Sequence, residues 1–403
     1  MKKWQWVLLI FLFFFLRLYH LDLRLNFSMD QGMEMLRAWE LWQHKTITLL
    51  GPSASPTVYD HQFFFGPITY YLLIIFGLVS NWDPFKASLL MTLAALVGMI
   101  FLYLTTKKLF NEKVARLVAI LFSILPITVN YSNFLWNPNF LLVLVPIYLY
   151  CLVVALGKNT IYWYFLTGLL GGLCLQLHFQ AILLFLFSVV WLLVKKVTYK
   201  KLLVTLFGFV VGYSPLIIFD IRNHFYNFLT ILEWLRFGGN QKFSWQSYYL
   251  LALWPVGLIF LSWLLARIKN RLVLGVIILG LVLWSTVTIL NSHQGFGMPK
   301  DWHYVDLVKT AKLIPVNQKK YNIVNLLSGD TRFYSLRYLL TITAAPPLAV
   351  DHYKEAEILY VVSNKSAEKT VNDPVWEVNV FGGKKIEGEW RINNTVRLYK
   401  ISK

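Results

Sequence analysis

The densest group of chemistry-bearing side chains lies between residues 22 and 62. Within it, residues 29–42 carry Asp30, Glu34 and Arg37 at i, i+4, i+7, a spacing that puts them on one helical face, with Met35, Trp39 and Trp42 opposite. Two carboxylates and a guanidinium against Trp and Met suit a helix lying at a membrane surface with its acidic face turned into a cavity. Surface helices also carry such charges for solubility alone, and spacing leaves both readings open. Asp60 and His61 follow, a carboxylate beside an imidazole, which fits a proton shuttle, a phosphate contact or an interface pair with no task. Asn133, Asn137 and Asn139 surround Pro138 in a turn whose amides can donate to a substrate. Gln176, His178 and Gln180 cluster at the tip of an apolar hairpin, where polar groups at membrane depth are costly and invite a functional reading. Asp220 and Arg222 end a later apolar run. They can pair with each other, or Arg222 can take a lipid phosphate by charge-assisted hydrogen bonds.

The elements that must position these residues are membrane helices. Of 403 residues, 57% are apolar, 17% aromatic and only 14% charged, which excludes a disordered chain and an ordinary soluble enzyme. The net charge of +18 points to nucleic acid only if the chain is soluble, and here it is not. Residues 1–290 hold 22 Lys and Arg against 9 Asp and Glu. Apolar runs near 4–21, 63–80, 86–106, 114–131, 139–156, 161–178, 180–194, 202–220, 247–266 and 272–290 give up to ten spans. Ten spans place the basic segments 107–116, 195–201 and 267–271 outside, against the positive-inside rule. If 63–80 stays in the outer face, nine spans remain and 14 of the 22 basic residues fall on the inner side. Gly66-Pro67 and the Tyr70-Tyr71 pair suit such an interfacial or re-entrant segment. The reading is therefore a mainly α, polytopic protein of about nine spans plus interfacial helices, with the acidic residues gathered outside.

Residues 1–290 form the membrane domain, with a first outer loop over 22–85. Residues 291–403 read as a small extracytoplasmic α/β domain. Strands are expected at 321–327, 357–363, 376–381 and 395–401, and a helix around 301–313. Cys151 and Cys174 lie in apolar runs and read as core residues. No nucleotide-binding glycine motif follows a strand.

In order, these features resemble the GT-C glycosyltransferases, in particular the branch of protein O-mannosyltransferases and aminoarabinose transferases. The features are Met29-Asp30-Gln31-Gly32 in a long first outer loop, the GPITYYLL run that includes Tyr70, the basic Lys-Lys-Leu-Phe loop, the Asn-Pro turn, the HFQ tip and FDIRNHF. The resemblance implies a GT-C fold and transfer of a sugar from a polyprenyl-phosphate donor to an acceptor at the outer face of a plasma membrane. It implies that Asp30, with Glu34, is catalytic, Asp30 as base for an acceptor hydroxyl. It places Arg37, Asp60, His61, Tyr70, Asn137, Asn139, His178, Gln180 and Arg222 on substrate, with His178 and Arg222 on the donor phosphate. Inversion at the anomeric carbon is also implied. Where many relatives carry further acidic residues, this chain has only asparagines in the turn and Gln31 on the helix. Neither a divalent metal nor another cofactor is expected. The Tyr334–Leu339 stretch also looks like tail motifs of such proteins, without a role for Arg337.

Two other classes fit the composition: a transporter or flippase of lipid-linked sugars, and a membrane-anchored assembly protein. A transporter calls for broken helices and polar groups near mid-bilayer. Here the polar groups gather at the outer ends of the runs.

Overall fold

Each apolar run is mainly helical. The structure is a computed structural model that describes residues 3–58, 61–158, 160–238, 246–295, 297–318 and 320–403. Among these, Pro84–Leu109, Asn137–Lys158, Tyr199–Arg222 and Arg271–Leu290 are long and apolar enough to cross a membrane by length and composition. Ile68–Ser80, Ile161–Leu177, Ala181–Val194 and Trp254–Ala266 are shorter apolar helices. Ile68–Ser80, of 13 residues, spans about 20 Å against about 30 Å of hydrocarbon. Trp254–Ala266 is equally short, so the argument for nine crossings rests on where the lysines and arginines fall rather than on length.

The chain divides into two compact units. One comprises Met1–Tyr19, Gln43–Phe76 and Lys86–Asn291, the other His20–Trp42, Gly77–Phe85 and Ser292–Lys403. In the first unit, the run expected as a single span over 114–131 is broken. A helix Glu112–Ile124 ends at Leu125, and a short helix Pro126–Asn130 follows. Pro126 has no N–H for the Phe122 carbonyl, so the ladder must stop there. The exposed carbonyls go to Arg17, a fully buried residue in the helix Lys3–Leu18. Its guanidinium donates to Phe122 O at 3.1 Å, Ser123 O at 2.9 Å and Ser132 Oγ at 2.7 Å, and lies over the Phe13 ring at 3.7 Å. Ser285 Oγ donates to the next carbonyl, Ile124 O. A fully buried arginine is thus fixed as the cap of a broken helix.

Two helices of this unit meet backbone to backbone. Gly168 and Gly172 on Ile161–Leu177 face Gly208 and Gly212 on Tyr199–Arg222. A Cβ on Gly168 would fall 1.9 Å from Thr205 O, and one on Gly212 would fall 2.2 Å from Leu169 O. Small residues four apart on both helices permit this approach, and any side chain there forces the pair apart. The contact fixes the helix that ends at the 176–180 tip against the helix that ends at Arg222.

A hairpin in the same unit pairs β1 (Ser53–Val58) with β2 (His61–Phe64) in antiparallel register. Asn227 completes its edge: its Oδ1 accepts from Phe64 N at 2.6 Å and its Nδ2 donates to Phe64 O at 3.2 Å.

The second unit contains a four-stranded sheet of β3 (Tyr321–Asn325), β4 (Ile358–Ser363), β5 (Lys385–Arg391) and β6 (Arg397–Ser402), in the order β3-β4-β6-β5. β3 and β4 are parallel, the other pairs antiparallel. β3 is buried at every position, as a strand covered on both faces must be. Strands at 321–325, 358–363 and 397–402 lie where the sequence places them, as does the helix Tyr304–Leu313. The expected strand at 376–381 is instead a short helix, Trp376–Phe381. Pro374 stands just before it and Gly382, at φ 73°, caps its end. The residues it buries are Glu377, Val378 and Phe381, a helical spacing rather than the alternation of a strand. The fourth strand is β5, KIEGEWR, in which Ile386, Gly388 and Trp390 alternate with four charged residues. It is an edge strand with its charges spread over the rim, where Glu387 pairs with Lys400 at 2.9 Å and Glu389 with Arg397 at 2.8 Å.

Candidate functional site

The singled-out residues fall into two groups, one in each unit. In the second unit the side chain of Gln31 reaches back over the start of the helix Met29–Gln43: its Oε1 accepts from Ser28 N at 3.2 Å and from Ser28 Oγ at 2.8 Å. Gln31 is thus spent on holding the helix start. Asp30 lies between these two residues in the first turn. Among the described residues nothing donates a hydrogen bond to its carboxylate and no cation pairs with it. Burial pushes that carboxyl up from its ordinary value.

The shared face of Asp30, Glu34 and Arg37 does not survive folding. The buried stripe of the helix runs through Gln31, Gly32, Glu34, Met35, Ala38 and Leu41. Glu34 is therefore inside, 3% exposed. Arg37 points to solvent and pairs with Glu40 at 3.2 Å. The reason is that Gly32 is the contact point. A Cβ there would lie 2.4 Å from Ser335 N and 2.6 Å from the Tyr334 carbonyl carbon, so the helix is pressed on that side against the start of the helix Tyr334–Ile342.

That second helix brings in a carboxylate the sequence reading passed over. Asp330 accepts from Phe333 N on Oδ1 and from Tyr334 N on Oδ2, both at 3.1 Å, and so holds the turn that leads into the helix. Burial pushes its carboxyl up to about 6, against the pull of those N–H groups and of Arg337, and the charge of Asp30 adds to the rise. Arg337, left without a role by the sequence, is a buried brace. It donates to Leu348 O and, at 2.8 Å, to Asn322 Oδ1 on β3.

In the first unit the hairpin tip is built by Gln176 and Asn137. Gln176 Oε1 accepts from Ile68 N at 3.2 Å, its Nε2 donates to Gly212 O at 2.5 Å, and its carbonyl accepts from Gly66 N at 2.8 Å. Gln176 is therefore a staple between the Gly66-Pro67 turn and two helices. Asn137 Nδ2 donates to Leu177 O at 2.9 Å, closing the end of the helix Ile161–Leu177. Asn139 donates to Phe134 O, while its Oδ1 is buried without a hydrogen bond.

His178 follows in extended backbone. Its ring packs against Phe65, Tyr248 and Tyr249 at 5.2, 5.8 and 6.1 Å between centroids. The two tyrosines are functional candidates that sequence reasoning missed, because they lie in an apolar run with nothing local to mark them. Beside His178, both the Oε1 and the Nε2 of Gln180 are buried without a hydrogen-bond partner. An amide in that state has a donor and an acceptor available for a ligand. Tyr70 is buried. His61, on β2, is exposed and its ring meets Tyr226 at 5.8 Å. Asp60 lies outside the described residues.

Arg222 ends its helix exposed. The pairing with Asp220 does not form. Asp220 instead accepts from Asn227 N at 2.8 Å and Phe228 N at 3.3 Å, at the start of the next helix. That leaves the Arg222 guanidinium without an ion-pair partner among the described residues. Among these residues no three His, Cys, Asp or Glu side chains gather as a metal site would.

Residues 65–220 match the family model for dolichyl-phosphate-mannose-protein mannosyltransferases. The segment contains Tyr70, Asn137, Asn139, His178 and Gln180. Over the whole chain the fold is that of ArnT from Cupriavidus metallidurans. The likeness to its structure bound to undecaprenyl phosphate has a TM-score of 0.63 at 13% identity, covering 99% of this chain and 98% of that one. To its apo structure the TM-score is 0.58 at 12% identity, with the same coverage. No curated protein matches the chain in sequence. The segment match is a similarity to that family and the structural likeness is one of fold; with its long apolar helices the protein is a multi-pass membrane protein.

Proposed function

We propose that the protein moves a sugar from a polyprenyl-phosphate donor to an acceptor at the outer face of the membrane, with Asp30 as the general base. The observation that carries this is the state of Asp30: a carboxyl held at a helix start, partly withdrawn from water and given no hydrogen bond. Burial raises its affinity for a proton, as a base at near-neutral pH requires. In the reaction an acceptor hydroxyl gives its proton to Asp30 while its oxygen attacks the anomeric carbon. The bond from that carbon to the phosphate oxygen breaks, and polyprenyl phosphate leaves with the electron pair. Attack opposite the leaving group inverts the carbon. Arg222 is assigned to the departing phosphate, since its guanidinium has no competing carboxylate. Gln180 and His178 are assigned to the donor as well, on the strength of the unpartnered amide and the aromatic walls. The solved ArnT complex holds undecaprenyl phosphate, which supports this donor class. Glu34, Arg37, Asp60, His61, Tyr70, Asn137 and Asn139 remain proposed catalytic or substrate contacts. Catalysis by protein groups alone, without a metal, is part of the same proposal.

The test is sugar transfer from a panel of polyprenyl-phosphate sugars into a broad acceptor mixture, by wild type and Asp30→Asn. We expect transfer by the wild type and at least a hundredfold loss in the variant, about 2.7 kcal/mol of barrier. Equal rates remove Asp30 from the mechanism. No transfer by the folded wild type from any donor returns the transporter reading.

A further inference from the structure

The helix Tyr334–Ile342 takes hold of the segment that carries Asp30 at two points. One is Gly32, where a Cβ would lie 2.4 Å from Ser335 N and 2.5 Å from Ser335 Cα, so that backbone meets backbone. The other is Phe27, a buried residue whose ring meets that of Tyr338 edge-on at 5.6 Å between centroids and that of Tyr304 at 6.0 Å. Ser335 and Tyr338 are three residues apart and so share a face of the helix. Asp30 lies between Phe27 and Gly32 in the chain, with one grip on either side.

The gripping face is itself fixed. Tyr338 is fully buried, and its hydroxyl donates to Trp82 O at 2.6 Å. Trp82 and its neighbour Asn81 stand at φ 61° and 53°, a conformation that residues other than glycine keep only where their surroundings hold them. The ring of Tyr338 is thus pinned at its far end as well as at the helix. On the same helix Arg337 donates to Leu348 O and, at 2.8 Å, to Asn322 Oδ1 on β3. Contacts run from the sheet, through one helix, to the residues that flank Asp30.

We propose that Tyr338 is a positioning residue for Asp30: together with the Ser335 contact at Gly32, its ring on Phe27 sets where the carboxyl stands, and the C-terminal sheet serves the reaction as the seat of the base. This rests on the reading of Asp30 as the base. Misplacing a reacting group by about 1 Å costs about a hundredfold in rate, so loss of a grip is read in turnover.

The measurement is kcat and donor KM for sugar transfer by the full-length protein, with whichever polyprenyl-phosphate sugar supports wild-type activity, alongside the unfolding midpoint in detergent. Tyr338→Leu and Phe27→Leu each remove the ring contact. We expect kcat to fall about tenfold or more in both, with donor KM within about twofold of wild type, because His178, Gln180 and Arg222, assigned to the donor, belong to the other unit. Tyr338→Phe restores the ring and should recover most of the rate. The control is Tyr399→Leu. Tyr399 is a fully buried tyrosine of β6 that packs in the sheet core and donates to Lys365 O at 2.9 Å. Its loss should lower the midpoint as Tyr338→Leu does and leave kcat within about twofold. Equal losses of kcat in Tyr338→Leu and Tyr399→Leu reduce Tyr338 to general stability and overturn the inference. Wild-type kcat in Tyr338→Leu and Phe27→Leu, with Asp30→Asn inactive, also overturns it and leaves the base standing. Retained activity in Asp30→Asn overturns both. If Tyr338→Leu does not fold, Phe27→Leu and Gly32→Ala decide: a lower kcat at unchanged donor KM in both supports the inference, and wild-type kcat in either counts against it.

Discussion

At the scale of the residue, burial decides which carboxylate is available for chemistry. Asp30 has an elevated proton affinity and, among the described residues, no hydrogen-bond donor, whereas Asp220 has its Oδ1 engaged by two backbone N–H groups. A base must be ionised, and burial favours the protonated form. The rate of transfer should therefore fall as pH drops through a midpoint above the ordinary aspartate value of about 4. A midpoint at or below that value in a pH–rate profile would count against Asp30 as the titrating group. Arg37, exposed and paired with Glu40, is expected to tolerate alanine with less than about a threefold change in rate, since exposed pairs contribute little. Asp30 was legible in the sequence because an acid early in an amphipathic helix is a local pattern. Asp330 was not, because its place beside the Asp30 helix spans hundreds of residues and its local signature is only that of a turn before a helix. Tyr248 and Tyr249 escaped for a similar reason: in an apolar run, two tyrosines look like packing.

At the scale of the element, apolar runs foretold the helices, while their breaks and contacts came from single residues. Pro126 ends a helix that hydropathy alone carries on to residue 131. The compensation is Arg17, which hydropathy absorbed into a crossing. Arg17→Leu leaves the Phe122 and Ser123 carbonyls without donors and should cost about 2 kcal/mol or more, read as a lower unfolding midpoint in detergent. The glycines offer a sharper comparison. Gly212→Val meets the Leu169 carbonyl and should lower that midpoint, whereas Gly257→Ala and Gly275→Ala, where a new Cβ meets nothing within 4 Å, should leave it unmoved. In the sheet, strands that alternate or run apolar were legible. β5 was not, because its alternation of charged residues with Ile386, Gly388 and Trp390 is interrupted by a glycine and largely exposed, and its helical neighbour Trp376–Phe381 took its place in the reading.

At the scale of the whole molecule, the distribution of basic residues carries the proposed topology. Glu112 lies within the basic loop, where burial opposes its charge but hydrogen bonds from Lys107, Tyr103 and Arg116 hold its carboxyl down to about 2. With nine crossings, a Lys108→Cys variant should react with an impermeant thiol reagent only from the cytoplasmic side. Labelling from outside would reverse the placement of every loop. Added chelator should leave transfer unchanged, and a loss restored by manganese or magnesium would replace the metal-free proposal. The arginine cap has a further consequence, for biogenesis. Arg17 and its acceptor Ser123 lie 106 residues apart, so the helix Lys3–Leu18 is made and offered to the insertion machinery well before its partner exists. An arginine within an isolated helix costs about 2.5–3.5 kcal/mol to insert at mid-membrane. Nascent chains truncated before the helix Glu112–Ile124 should therefore hold the Arg17 end at the membrane surface, and chains extended past residue 132 should draw it in. Commitment of the early helix would then be decided by synthesis of the later one.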